Sequence, residues 1–163
     1  MNQHETSRRK FIRSGSALAG FFILPSGLRA NSPNGRLNSA HIGVGGKGSV
    51  DTAQIAAHPK TQVVALCDVD RHSLEGRGRK QNAKGKERYP GSKKFQDYRE
   101  MFAAMGDKID IVSVSTPDHT HYPATMAAMK LGKHVYTQKP LTNNITEARE
   151  LMEAARKNKV FTQ

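Results

Sequence analysis

Three glycines on a strand-to-helix turn, in the run Gly43-Val44-Gly45-Gly46-Lys47-Gly48, restrict what this chain can fold into more than any other feature. Residues 39–44 read as a short apolar strand, and residues 49–57 as a helix closed by His58-Pro59. On that helix Val50, Ala53 and Ala57 share one face and are expected to meet a sheet. In a G-x-G-x-x-G frame each glycine has a separate physical task. Gly43 allows the sharp turn out of the strand. Gly45 keeps side chains away, so that backbone N–H groups can approach an anion. Gly48 lets the helix lie close on the sheet. The helix N-terminus then offers unpaired N–H groups and a partial positive charge, which suits a pyrophosphate.

Such a frame is informative only between a strand and a helix, with an acidic residue further on. Both conditions are met. Residues 61–67 are apolar enough to be a second strand buried on both faces of a parallel sheet, and Asp68 ends it twenty positions after Gly48. A carboxylate there can accept the ribose hydroxyls of an adenosine half. The residues therefore point to dinucleotide binding through Gly43, Gly45, Gly46, Lys47, Gly48 and Asp68, with NAD favoured. Asp70 is a second candidate at the same tip. Arg71 and His72 keep NADP as the alternative, since a cation beside the ribose tolerates a 2′-phosphate. The competing structural reading of Asp68 is a capping or turn carboxylate.

The alternation of strand and helix continues. A poorly patterned helix is expected over residues 71–80, a turn at Pro90-Gly91 and a short strand over 94–96. Residues 98–105 form a helix with Phe102 and Met105 inward, and 109–115 a fourth strand. Residues 122–131 form a helix with Pro123 in its first turn and Gly132 as its stop, and 133–137 a fifth strand. Asn144 and Glu147 have capping-box spacing ahead of Ala148, Leu151, Met152 and Ala155 at helical period. Residues 160–163 begin a sixth strand. The methionines at 101, 105, 126, 129 and 152 read as packing. The order predicts an α/β fold, a doubly wound parallel sheet of the Rossmann type that stops as strand six begins. Ligands bind such sheets beyond the carboxyl ends of the strands. The polar clusters of the sequence collect at those ends.

The glycine turn, Cys67-Asp68-Val69-Asp70, Ser115-Thr116-Pro117-Asp118-His119-Thr120-His121 and Lys139-Pro140 together resemble the Gfo/Idh/MocA oxidoreductases, over nearly all of residues 37–163. The resemblance implies an NAD(P) cofactor, sugar or cyclitol substrates and hydride transfer at a carbinol carbon. It places Thr116 and Pro117 along the cofactor near its nicotinamide half, with His119 and Gln138 on the same rim. It makes Lys139 and His121 the candidate catalytic residues, Lys139 contacting substrate and cofactor and assisting proton transfer. Gln138 stands where the family pattern most often has Glu, which removes a carboxylate able to tune Lys139. The family also implies a second α+β domain carrying the substrate pocket, so this chain is expected to be incomplete for catalysis alone. A redox-neutral reaction that oxidises, eliminates and re-reduces on one tightly held NAD is also compatible with the resemblance. A non-catalytic nucleotide-binding module is the alternative. A methyltransferase also likes an acid after its second strand, but the motifs after strands four and five argue against it.

Residues 1–30 read as a twin-arginine export signal, with Arg8-Arg9-Lys10 followed by a short, glycine-interrupted apolar stretch and a small residue at Ala30. That stretch is too weak for a stable span, which needs about 20 apolar residues. Residues 31–38 form a linker and 39–163 the nucleotide-binding domain. Export by the twin-arginine machinery, folded around a cytoplasmic cofactor, to the periplasm or beyond is expected. The net charge of +12 is not taken as a nucleic-acid signal. Five cations against Glu5 put four of those charges in the signal, and no aromatic residues alternate with the lysines and arginines of residues 71–94. The one cysteine, Cys67, is expected to be buried and unpaired. His119 and His121 lack an obvious third ligand, so no metal is expected.

Overall fold

The computed structural model describes residues 35–75 and 88–163. Strands β1 (Leu37–Ile42), β2 (Thr61–Cys67), β3 (Lys93–Phe95), β4 (Ile111–Val114) and β5 (His134–Thr137) form one sheet in the order β3-β2-β1-β4-β5. Each neighbouring pair is parallel. Parallel neighbours require crossovers. Helices α1 (Gly46–Ala56), α2 (Arg71–Leu74), α3 (Tyr98–Met105), α4 (His121–Lys130) and α5 (Ile145–Asn158) lie in the segments between and after the strands. Thr162 bridges Val135 in parallel, so residues 160–163 take the far side of β5, where the sixth strand was expected. The doubly wound α/β sheet is thus as the sequence predicts. The first strand starts at Leu37, two residues earlier than expected, because Leu37 already pairs with Thr61.

The core follows from the strand period. Ala40, Ile42, Ala65, Cys67, Val112, Val114 and Val135 of the sheet pack with Met101, Phe102 and Met105 of α3, Ala124, Ala128 and Met129 of α4 and Leu151 of α5. Leu66 points the opposite way from Ala65 and Cys67 and packs with Val44 and Leu74. Burial pushes the Cys67 thiol up to about 12, with the Asp68, Asp97 and Glu100 carboxylates adding to it. A thiol held protonated in this way is a packing group, not a nucleophile.

Three details differ from expectation. The buried face of α1 is Gly48, Asp51, Thr52 and Ile55, while Val50 is 46% exposed and Ala57 is exposed too. Gly48 has to face the sheet, and residues three, four and seven positions on share its side of the helix, which turns Val50 outward. Met152 on α5 is likewise exposed, and Leu151 alone of that helix is fully buried. α2 ends at Leu74, and residues 76–80 of the expected helix lie outside the described residues.

The cap of α5 follows its spacing. Asn144 Oδ1 accepts from Glu147 N at 2.9 Å, and Glu147 Oε2 accepts from Asn143 N at 3.0 Å, one residue before the usual partner. Gly132 stops α4 with φ +71°. The expected export signal (residues 1–30) and the linker up to residue 34 lie outside the described residues. Among the described residues no helix is long and apolar enough to cross a membrane.

Candidate cofactor-binding site

The carboxyl ends of the strands finish level. Ile42 is opposite both Cys67 and Val114, and Val114 is opposite Thr137. Backbone bonds carry the ladder one step further. Gly43 N donates to Cys67 O, Ser115 N to Ile42 O and Gln138 N to Val114 O, each at 2.8 Å, and Asp68 N donates to Phe95 O at 3.1 Å. Gly43, Asp68, Ser115 and Gln138 therefore stand along one rim. The connections run from β1 towards β2 and β3 on one side, then cross to β4 and β5 on the other. β1 is thus the switch point, where such sheets open a crevice. The glycine turn lies directly on it.

Three of the four glycines of the turn meet a distinct obstacle. Gly43 has φ +80°, and a Cβ on it would lie 2.7 Å from the Ser115 carbonyl. A Cβ on Gly48 would lie 1.9 Å from Gly43 O, so α1 rests directly against the turn. A Cβ on Gly45 would meet Ser73 Oγ at 2.7 Å. Gly46 instead faces open space, with φ +48° and nothing within 4 Å. α1 opens on Gly45 without a side-chain cap. Its first N–H groups have no intrahelical partner, so they suit a phosphate.

Asp68 lies at the tip of β2 beside this turn. Its Oδ2 accepts from Val44 N at 2.8 Å and Gly45 N at 3.1 Å, and its Oδ1 accepts from Asp70 N at 2.9 Å. The carboxylate is therefore a turn carboxylate and a rim carboxylate at once. A carboxylate has about four lone-pair sites, so Oδ1 keeps one for a ribose hydroxyl. Asp70 has a different task. It caps α2, accepting from His72 N, Ser73 N and Ser73 Oγ, and the Ser73 hydroxyl bond is the main cause holding its carboxyl below the usual range. Both its oxygens accept within that cap, whereas Asp68 is the one of the two that holds the glycine turn.

On the other side of the switch point, Thr116 and Pro117 leave β4 and lead into a 3₁₀ turn, Asp118–Thr120. The Thr116 hydroxyl is buried without a partner at this rim. His119 is exposed, whereas His121 is buried. The His121 ring spans two loops, its Nδ1 lying 2.5 Å from Pro140 O and its Nε2 2.7 Å from Thr116 O. Both nitrogens face carbonyls, which leaves neither for a reactant. No group of three metal-type side chains forms among the described residues. Lys139 is exposed on the turn after β5, with its backbone N–H donating to Gln138 Oε1 at 2.8 Å.

One residue of the site has no counterpart in the sequence reading. Asp51, 1% exposed on α1, receives Lys47 Nζ at 2.8 Å on Oδ1 and both Ser115 Oγ and Gln138 Nε2 at 2.9 Å on Oδ2. Burial alone would raise its pKa, but the Lys47, Gln138 and Ser115 hydrogen bonds outweigh it and hold the group below the ordinary carboxylate range. Lys47 is raised in turn by the same bond. The available signal was its position, three residues after Gly48 and thus on the face that must meet the sheet.

A glycine turn without a cap, open at Gly46, and a carboxylate with a spare lone pair across the same crevice fit a dinucleotide. Among doubly wound sheets this defines a Rossmann nucleotide-binding domain. The family model described as an oxidoreductase family with an NAD-binding Rossmann fold matches residues 37–163, and the chain belongs to this Gfo/Idh/MocA family. It is 32% identical over 158 residues to a glycosyl hydrolase family 109 protein of Solibacter usitatus (strain Ellin6076), covering 91% of this chain and 36% of that protein. It is 34% identical to a solved NAD binding oxidoreductase from Klebsiella pneumoniae, with a TM-score of 0.60 over 78% of this chain and 33% of that one. A D-galactose-1-dehydrogenase structure from Rhizobium etli is 25% identical, with a TM-score of 0.62 over 78% of this chain and 36% of that one. The chain thus spans about a third of the length of these relatives.

Proposed function

We propose that this chain is the cofactor-binding part of an exported oxidoreductase that moves a hydride to or from a carbinol carbon of a sugar or cyclitol, using NAD. The observation that carries the reading is the junction of Asp68 with the glycine turn at the switch point. Residues 43–48 would hold the pyrophosphate, Asp68 the adenosine ribose, and Thr116, Pro117, His119 and Gln138 the nicotinamide half. When bound, the nicotinamide accepts or returns the hydride. Lys139 is the group we assign to take or give the hydroxyl proton, being exposed at the end of β5. His121 is assigned as a positioning residue, since both its nitrogens are spent on the Thr116 and Pro140 carbonyls.

Fluorescence titration of the intact chain with NADH tests this reading. NADH is expected to bind, and Asp68→Asn to weaken it about tenfold or more, the worth of one charged hydrogen bond. Equal affinity in both proteins sinks the reading. NADPH binding as tight as NADH would assign the ribose end to Arg71 and His72 instead.

The likeness to the Solibacter glycosyl hydrolase family 109 protein favours a second reaction, the redox-neutral one: the sugar gives a hydride to NAD, the glycosidic oxygen leaves by elimination, water adds in its place, and the same hydride returns. Carbohydrate turnover with no net change in NADH would select this over simple oxidation. Export rests on Arg8 and Arg9. Replacing both by lysine is expected to retain the protein in the cytoplasm, read by immunoblot of cell fractions. An unchanged distribution would remove export from the proposal.

A further inference from the structure

We propose that Asp51 is the positioning carboxylate of this site, and that it is the reason residue 138 is an amide. Three elements meet at its side chain: α1 through Lys47, the end of β4 through Ser115 and the end of β5 through Gln138. Gln138 works as a bridge with a fixed direction. Its Nε2 donates to Asp51 Oδ2, and its Oε1 accepts from the Lys139 backbone N–H. Only a side chain with a donor at one end and an acceptor at the other serves both partners. A glutamate at 138 would set a second carboxylate 2.9 Å from the first, which is itself 1% exposed. Like charges at that distance cannot both stay ionised, so the pair would hold a proton or part.

The consequence for the site is coupling. Asp51 ties the helix that would receive the pyrophosphate to the turn that carries Lys139. The charged and titratable groups facing it are Lys47 on its own helix, His41 from β1 and Tyr136 from β5. Lys47 answers its charge directly, and the burial of His41 keeps that ring neutral beside it. A positioning role at the nicotinamide end rests on the cofactor reading above. The pairing of Asp51 with the side chain at position 138 does not.

The experiment compares the intact chain with Gln138→Glu and with the double variant Asp51→Asn/Gln138→Glu, each at pH 8 and pH 5, in NADH binding and urea midpoint. Every variant is referred to the parent chain at the same pH. Gln138→Glu is expected to weaken NADH about tenfold at pH 8 and to recover most of that at pH 5, where the two carboxylates share a proton. The double variant is expected to bind at pH 8 within about threefold of the parent. Its amide at position 51 can donate to the carboxylate at position 138 and to the Ser115 hydroxyl oxygen while its carbonyl accepts from Lys47. A purely structural role would move NADH affinity and urea midpoint together, whereas a positioning role weakens NADH in Gln138→Glu by more than its change in midpoint accounts for. Gln138→Glu indistinguishable from the parent at both pH values overturns the proposal, as does a double variant no better than the single one. If the parent chain binds no NADH, the cofactor reading fails. The urea midpoints then decide the pairing: a pH-dependent loss rescued by the double variant upholds it, and its absence overturns it.

Discussion

Gly48→Ala is expected to unseat α1 and to destabilise the chain by roughly 3 kcal/mol, at the upper end of what overpacking usually costs. The added Cβ would sit 1.9 Å from the Gly43 carbonyl oxygen and 3.2 Å from Ser115 Cβ, and the nearest obstacle is backbone, which cannot swing aside like a side chain. Relief requires α1 to move off the sheet. That motion breaks the set of contacts Asp51 makes with Ser115 and Gln138, and it pulls the helix N-terminus from the crevice. NADH binding should fall with stability. Gly46→Ala is the control on the same turn. Its Cβ would meet nothing within 4 Å, so its cost is confined to the left-handed backbone at φ +48°, about 1–2 kcal/mol. Urea unfolding of the two variants checks the order. A Gly48→Ala chain as stable as Gly46→Ala would mean that α1 does not rest on the glycine turn.

The contrast between these two glycines also marks where the sequence was legible. A G-x-G-x-x-G frame states how close the chain must approach itself at its ends, so the roles of Gly43 and Gly48 follow from the spacing. The parallel sheet follows too, because the apolar run at 63–67 and the alternation of strands with helices leave few other topologies. Asp68 was legible as a carboxylate at the tip of β2. Its second task, holding Val44 N and Gly45 N, depends on the turn folding back over it.

Asp51 was invisible for a different reason. An acid in the second turn of a helix ordinarily reads as solvated, and only the tertiary fold brings residues 115 and 138 to it. The apolar stripe Val50, Ala53, Ala57 was a poor guide to the buried face, because a backbone contact at Gly48 outranked side-chain hydrophobicity in setting the rotation of α1. His121 was read as a reactive neighbour of the nicotinamide. Spacing along one segment gives no sign that carbonyls from residues 116 and 140 lie on both sides of its ring.

The acid limit of this fold should be set in large part by His41. The ring lies near the carboxyl end of β1 with no exposed surface, its Nε2 3.0 Å from Ser39 Oγ and its Nδ1 buried without a partner. Burial lowers its pKa from 6.5 to about 4, and the Asp51 carboxylate opposes that shift only in part. In the unfolded chain the imidazole takes a proton near pH 6.5, whereas in the fold it stays neutral until about pH 4. Over that window the unfolded state binds the proton and the folded state does not, so stability falls as pH falls. The contribution is complete above the unfolded value and gone below the folded one, a change of about 3 kcal/mol at about 1.4 kcal/mol per unit of pKa.

His41→Leu separates this from the titration of the carboxylates. Leucine cannot take up a proton, and it leaves no ring nitrogen unpaired in the core. Ser39 Oγ keeps its bond to Gln62 O at 3.2 Å, so no new orphan is created there. Urea unfolding from pH 7 to pH 4 should show the parent losing about 3 kcal/mol more than His41→Leu, the difference accumulating between pH 6.5 and 4. Parallel losses in the two proteins would mean that the His41 ring accepts its proton inside the fold, with Asp51 rather than burial governing its charge.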